Sequence, residues 1–494
     1  MKYLLGYDIG SSSVKAALIE AASGKPIGTV FAPDNEMLIS SPQSGFAEQD
    51  PETWWNELII ATKKLKQKFS FKQDEIVAIG ISYQMHGLVC VDKNLKSLRP
   101  SIIWCDSRAV EIGNNAFKHL GETFCLQHLL NSPGNFTASK LRWVQENEPR
   151  VYDRIHKVML PGDYIALKLT GVAGTTISGL SEGIFWDFRN SNISGELLEY
   201  YGIDEKLLST LVPTFGEQGR LHREAAEALG LSSGIPVSYR AGDQPNNAFS
   251  LNVLEPGEVA ATAGTSGVIY GVTDKSDYDE LSRVNTFVHV NHSEENPRNG
   301  ILLCVNGTGI LNSWLRKNFF SSYSYETINA GAAMSPIGSG GLSFYPFGNG
   351  AERILVNKNF GGHLQNLDFN RHQWQDVARA AQEGIVFALH YGSEIMQKMG
   401  VHLTTIRAGY ANMFLSDVFA STFANISNCA VELYNTDGAL GAARAAGVGV
   451  GYYSDFNSCF SGMHMLKRIE PDQGVQKLVS EAYHKWKKGL LNLM

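Results

Sequence analysis

The sequence predicts an α/β protein of two domains, and three observations carry that prediction. Strand-like and helix-like segments alternate in both halves of the chain. Its 494 residues exceed what one hydrophobic core usually organises. A short loop pattern also occurs twice, as Asp8-Ile9-Gly10-Ser11-Ser12-Ser13-Val14 and as Thr262-Ala263-Gly264-Thr265-Ser266-Gly267-Val268. Only the first copy contains an acid.

Each loop lies between apolar, β-favouring stretches: residues 3–7 and 14–19 first, then 258–261 and 268–270. A glycine lets the turn bend, and hydroxyls with backbone N–H groups line its tip. Such a tip can hold phosphate oxygens without a lysine-bearing P-loop. Two tips facing each other across a cleft would grip a nucleotide tail from both sides. Asp8 would add the carboxylate that a hard cation prefers.

Between the loops, residues 54–66 read as a helix, while 76–82 and 88–91 read as strands. The segment 151–170 ends at Thr170-Gly171, where glycine can close a helix. In the second half, 257–270 and 300–305 read as strands. Residues 372–399 have helical periodicity, with Trp374, Val377, Ala378, Ala381, Ile385 and Leu389 on one apolar face. Strands joined by helical crossovers imply mostly parallel or mixed sheets covered by helices. Gly, Pro and two Asn interrupt the pattern at 242–247, which places a boundary between domains 1–245 and 246–494.

Composition narrows the function. With 44% hydrophobic and 18% charged residues the chain reads as an ordinary globular protein. A formal charge of −7 argues against general binding to nucleic acid or membrane surfaces, although backbone donors can still hold a small anion. The six scattered cysteines form no Cys-x-x-Cys pair, so neither a zinc site nor a disulfide framework is expected. The N-terminus does not read as a signal peptide, and no apolar run approaches the ~20 residues of a membrane helix. A cytoplasmic location is expected.

Several polar clusters can carry chemistry. Arg240-Ala241-Gly242-Asp243-Gln244-Pro245-Asn246-Asn247-Ala248 places Asp243 and Gln244 at a helix mouth, since Pro245 suits a first turn. Asp243 then either caps this helix or serves as a general base, and both hold if the loop opens into a cleft. Gln84-Met85-His86-Gly87 and Trp104-Cys105-Asp106-Ser107-Arg108 follow strands, where open α/β sheets place ligands. His86 alone is as compatible with a structural role. Trp104, Asp106 and Arg108 read either as an aromatic beside an ion pair or as a surface for a polyhydroxylated sugar. Arg407-Ala408-Gly409-Tyr410-Ala411-Asn412 puts glycine where a flat ring or phosphate could approach the backbone. The run from Asp437 to Gly447 lines a helix with small residues, which reads as tight packing.

Together these segments resemble the FGGY carbohydrate kinases of the actin-like ATPase superfamily, and within them the xylulokinases most. Glu48-Gln49-Asp50-Pro51-Glu52-Thr53-Trp54-Trp55 resembles the E-Q-D-P-x-x-W-W block, and Gln84-Met85-His86-Gly87 matches the Q-M-H-G sugar motif. Leu160-Pro161-Gly162-Asp163-Tyr164-Ile165 resembles L-P-K-D-Y-L. Gly341-Leu342-Ser343-Phe344-Tyr345-Pro346-Phe347 with Glu352-Arg353 resembles the L-x-F-L-P-Y…G-E-R block. The chain departs from the family pattern at Pro245-Asn246-Asn247, at Ala408-Gly409-Tyr410, and at residues 176–181, which lack an Asp that many relatives have.

The resemblance implies two actin-like (ribonuclease H-like) α/β domains around a central cleft. It implies ATP-dependent phosphorylation of D-xylulose at its C5 hydroxyl, with Mg²⁺. Asp243 would be the base and Asp8 the catalytic and metal-associated acid. Met85, His86, Trp104, Asp106, Asp243 and Gln244 would meet the sugar. Gly10, Ser11, Ser12, Ser13, Lys15, Gly264, Thr265, Ser266, Gly309, Gly409 and Asn412 would meet the nucleotide. A homodimer is compatible with the resemblance; nucleic-acid and membrane partners are not expected. The alternatives are an FGGY kinase for ribulose, sedoheptulose, a deoxyketose or another polyol, and an actin-like ATPase without sugar transfer. A silent sugar-binding regulator is disfavoured by the presence of both Asp8 and Asp243.

Overall fold

The apolar run after the N-terminus forms strand Tyr3–Ile9, and the serine turn folds it back onto Val14–Glu20 with Asp8 opposite Lys15. Strand Pro26–Ala32 extends this antiparallel meander. On the other side Ile76–Tyr83 and then Val237–Gly242 add in parallel. The sheet order is therefore 237–242, 76–83, 3–9, 14–20, 26–32. Register places Asp8 beside Ser82, and Ser82 beside Ala241. The C-terminal ends of three parallel strands thus meet at one sheet edge.

The computed structural model describes residues 1–494 and divides into two units. The first comprises Met1–Asn252, Phe287–Pro297 and Thr436–Met463; the second comprises Val253–Thr286, Arg298–Asn435 and His464–Met494. Each has its own core of buried aliphatic and aromatic side chains.

The second unit repeats the first's topology. Glu258–Ala263 and Gly267–Thr273 form its loop-bearing hairpin, extended antiparallel by Asn299–Val305. Thr405–Gly409 and Val431–Tyr434 add in parallel beyond Glu258–Ala263. The full sheet has seven strands in the order 285–288, 299–305, 267–273, 258–263, 405–409, 431–434, 465–469.

Local sequence explains the helix ends. Helix Pro51–Phe69 is longer than the expected 54–66 because Asp50 accepts the Glu52 N–H as its cap and Pro51 fills the first turn. Helix Pro161–Thr170 closes at Gly171, whose φ of 73° is the left-handed conformation that glycine adopts at least cost. The periodic segment 372–399 forms helix Trp374–Lys398.

Helix Gly438–Gly449 shows why its small residues are needed. It packs so close to the first unit's sheet that a Cβ on Gly6 would collide with Ala439 and Ala443 backbone. One on Gly80 would collide with the Ala442 carbonyl. Glycine in the strands and alanine in the helix are two halves of one contact.

Candidate active site

The first unit's sheet edge gathers acids. Asp8 Oδ1 accepts from Ser82 Oγ at 2.9 Å, and its Oδ2 lies 3.9 Å from Lys15 Nζ. Burial raises the Asp8 pKa, Lys15 and the Ser82 hydroxyl oppose the rise, and Asp437 adds to it. Asp437 is committed elsewhere, capping helix Gly438–Gly449 through the Leu440 N–H at 2.8 Å and accepting from Thr29 Oγ1 at 3.0 Å. A Cβ at Gly438 would lie 2.7 Å from Asp8 Oδ2, so glycine keeps that face of the carboxylate clear.

Strand Val237–Gly242 passes directly into helix Asp243–Ser250. Asp243 is the helix's first residue, and Gly242 holds the capping position, so the capping alternative for Asp243 falls away. Burial and then the Asp8 charge push the Asp243 carboxyl up to about 7, against donation from Gln244. That is a value suited to a base near neutral pH.

Met85 packs behind this junction; a Cβ on Gly242 would sit 2.6 Å from Met85 Cγ. His86 has φ of 60°, and its Nδ1 donates to the Glu182 carbonyl at 2.8 Å, which fixes that nitrogen as the protonated one. Its ring lies edge-on to Phe136, with centroids 4.8 Å apart. The structure therefore brings Asp8, Asp243, Gln244, Met85 and His86 into one neighbourhood.

Trp104 and Asp106 part company. Trp104 is 52% exposed, with its Nε1 at 3.4 Å from Ser11 Oγ. Asp106 is fully buried and its carboxylate is consumed by the Arg108 guanidinium, the Arg108 N–H at 2.9 Å and the Ala47 N–H at 2.6 Å. Its expected place on the sugar surface is therefore corrected: it holds the loop on which Trp104 stands.

Two buried groups were missed from the sequence. Lys140 is fully buried and donates to the His86 carbonyl at 2.8 Å and the Ile103 carbonyl at 3.0 Å, pinning both loops at once. Burial pushes its amine down to about 7. Glu182, also buried, is held well above the usual carboxylate range by burial, then by Asp243 and Asp163. Neither belongs to a short motif, and both act across long sequence separations.

In the second unit a cavity of about 710 Å³ opens beside the second loop, lined by Gly264, Thr265, Gly309, Tyr410 and Asn412. Gly309 and Ile310 donate their N–H groups to the Gly264 and Thr265 carbonyls at 2.8 and 3.1 Å. Asn412, left-handed at φ 54°, turns its side-chain amide toward Gly264. Two expected residues do not line it. Gly409 ends the strand below Tyr410, and the Ser266 hydroxyl lies against the Cys304 thiol. The far wall, with Asn312, Ser313, Tyr325, Glu326 and Asn329, comes from helices Gly309–Asn318 and Tyr325–Met334, of which only Gly309 was expected.

Two α/β units, each with a hydroxyl-bearing hairpin tip, and one with paired acids, form a duplicated scaffold of the kind that handles phosphate groups. Residues 3–250 match the N-terminal domain, and residues 259–450 the C-terminal domain, of the FGGY family of carbohydrate kinases. The chain belongs to this family, and the enzyme is a phosphotransferase acting on a sugar with ATP as the family's donor. It is 28% identical over 461 residues to a xylulose kinase of Staphylococcus xylosus, covering 92% of this chain and 93% of that one. It is 29% identical over 471 residues to a xylulose kinase of Bacillus subtilis, covering 93% and 90%. A crystal structure described as a xyloylose kinase from Brucella ovis superimposes with a TM-score of 0.89 at 26% identity, covering 99% of both chains. No helix is long and apolar enough to cross a membrane.

Proposed function

We propose that this enzyme phosphorylates D-xylulose at the C5 hydroxyl, giving D-xylulose 5-phosphate and ADP. The observation that carries the chemistry is Asp243, a carboxyl near neutral pKa at the sheet edge, packed beside Met85 and the His86 loop. The sugar assignment is supported by that Met85-His86 pair and by the xylulose kinases that match over nine-tenths of the chain.

In this reading Asp243 accepts the hydroxyl proton as the oxygen attacks the γ-phosphorus. Met85, His86 and the exposed face of Trp104 orient the ketose. The hairpin tips each offer backbone N–H groups and hydroxyls to phosphate oxygens, and such fixed donors stabilise developing charge without reorganisation. Asp8 suits a divalent cation: a hard oxygen donor, 18% exposed, with its open side kept clear at Gly438 and with Asp243 and Asp437 adding negative potential. Mg²⁺ there would neutralise charge on the phosphates; Lys15 and Ser82 orient the carboxylate that would hold it.

An ADP-release assay over xylulose, ribulose, sedoheptulose, deoxyketoses and glycerol tests the substrate. Turnover highest with xylulose is expected. A preference for another sugar would move the assignment within the family, and equal ATP turnover without sugar would remove it.

A further inference from the structure

Gln49 belongs to the Glu48–Trp55 block that leads into helix Pro51–Phe69, yet the chemistry above gives it no task. It lies on the two-residue strand Glu48–Gln49 and is 3% exposed. Its amide donates to the Ser11 carbonyl at 2.7 Å and the Leu38 carbonyl at 3.3 Å. Its oxygen accepts from Trp54 Nε1 at 3.0 Å and from Gln84 Nε2 at 3.3 Å. The orientation of the amide is forced, because an indole N–H can only donate and a carbonyl can only accept. Both donors and the acceptor are engaged, so the group has one fixed setting.

That setting acts on the first phosphate loop. In a trans peptide the carbonyl and the following N–H point opposite ways. Drawing the Ser11 carbonyl inward therefore aims the Ser12 N–H outward. The Met37 N–H holds the Ser12 carbonyl at 2.8 Å and does the same for the Ser13 N–H, while Gly10 N–H closes the turn on the Ser13 carbonyl at 3.0 Å. Of these anchors only Gln49 is a side chain, and its other face grips Gln84, the residue before Met85.

We infer that Gln49 is a positioning residue that aims the backbone donors of the first phosphate loop and ties their setting to the sugar motif. The inference rests on the reading of that loop as a phosphate holder. Gln49→Glu keeps the shape and an acceptor for Trp54 and Gln84, but turns an oxygen toward the Ser11 carbonyl. Gln49→Met keeps the bulk and removes both links.

The test measures binding of a non-hydrolysable ATP analogue with Mg²⁺ by calorimetry, steady-state constants for ATP and xylulose, and thermal melting. For Gln49→Glu we expect nucleotide affinity and kcat/KM for ATP to fall about 10- to 100-fold, as a misaimed group far from the chemistry does. KM for the sugar should stay within about threefold. Gln49→Met should raise both KM values and serves where the Glu variant does not fold. A folded variant of either kind with unchanged analogue binding would overturn the inference, whatever sugar the enzyme prefers. Equal losses for both substrates in Gln49→Glu, tracking only a lowered melting temperature, would overturn it too.

Discussion

The two hairpins share a topology and differ in what surrounds their tips. In the first, Asp8 faces Lys15 across the ladder; at the same place in the second, Thr262 faces Val268. The first loop's carbonyls are held by the Gln49 side chain and the Met37 N–H, the second's by the first N–H groups of helix Gly309–Asn318. The first unit adds Asp243 and the Met85-His86 loop, while the second adds a cavity of about 710 Å³. Under the proposed function, duplicated scaffolding supports a division of labour: acid, base and sugar groups on one copy, nucleotide walls on the other.

The largest loss should follow removal of the proposed base. Asp243→Asn keeps the shape of the helix start but cannot accept a proton. Its kcat should fall by about 10³-fold, within the usual worth of general base catalysis, with ATP binding retained. Near-parent turnover in a sugar-dependent ADP assay would take the chemistry away from this residue.

A reciprocal exchange tests the two tips directly. Asp8→Thr gives the first hairpin the second's residue and should lower kcat about 10²-fold while moving the Mg²⁺ titration to higher metal. Thr262→Asp gives the second hairpin an acid without the Lys15, Ser82 and Gly438 surroundings, and should not restore activity in the double variant. A double variant that recovers would show the hairpins to be interchangeable.

Much of this architecture could be read from the chain because its signals are local. Asp50-Pro51 starts a helix, Gly171 ends one, and a glycine with hydroxyls between two apolar strands makes a hairpin tip. Local reading failed where a partner lies far away in sequence. For Asp106 the nearby Arg108 left two readings open, and the Ala47 N–H that completes its buried setting is 59 positions distant. Lys140 and Glu182 act through the His86 loop across 54 and 96 positions. Ser266 faces Cys304 because in a three-residue tip only Thr265 is exposed, with Gly264 and Ser266 half-buried.

The acid pair also predicts a pH profile. As the proposed base Asp243 must be ionised, and its pKa is raised to about 7, so kcat/KM should climb about tenfold per unit as pH rises toward 7 and level above it. Stability runs the other way. The folded state holds this proton more tightly than the unfolded chain, so the contribution is present below about 3.8 and lost as pH rises through about 7. Because the Asp8 charge is the second cause of the shift, Asp8→Asn should move the activity limb to lower pH, which a rate profile of residual activity can check.

The mildest effects should come from the exposed aromatics, one on each unit. Trp104, 52% exposed, stands on the loop that Asp106 anchors; Tyr410, 42% exposed, lines the cavity beside Thr265 and Asn412. A flat ring offers a base or a sugar face a stacking surface worth about 1–3 kcal/mol for a nucleobase, and less for an exposed contact. Tyr410→Ala should therefore raise KM for ATP about five- to tenfold and leave KM for the sugar and kcat nearly unchanged. Trp104→Ala should do the opposite, raising the sugar KM several-fold. Its indole N–H at 3.4 Å meets the Ser11 hydroxyl and not a backbone group of the loop, so little should pass to the backbone donors. If Trp104→Ala instead weakened ATP as much as the sugar, the phosphate tip would depend on that contact, and the division between the two units would be less clean than their side chains suggest.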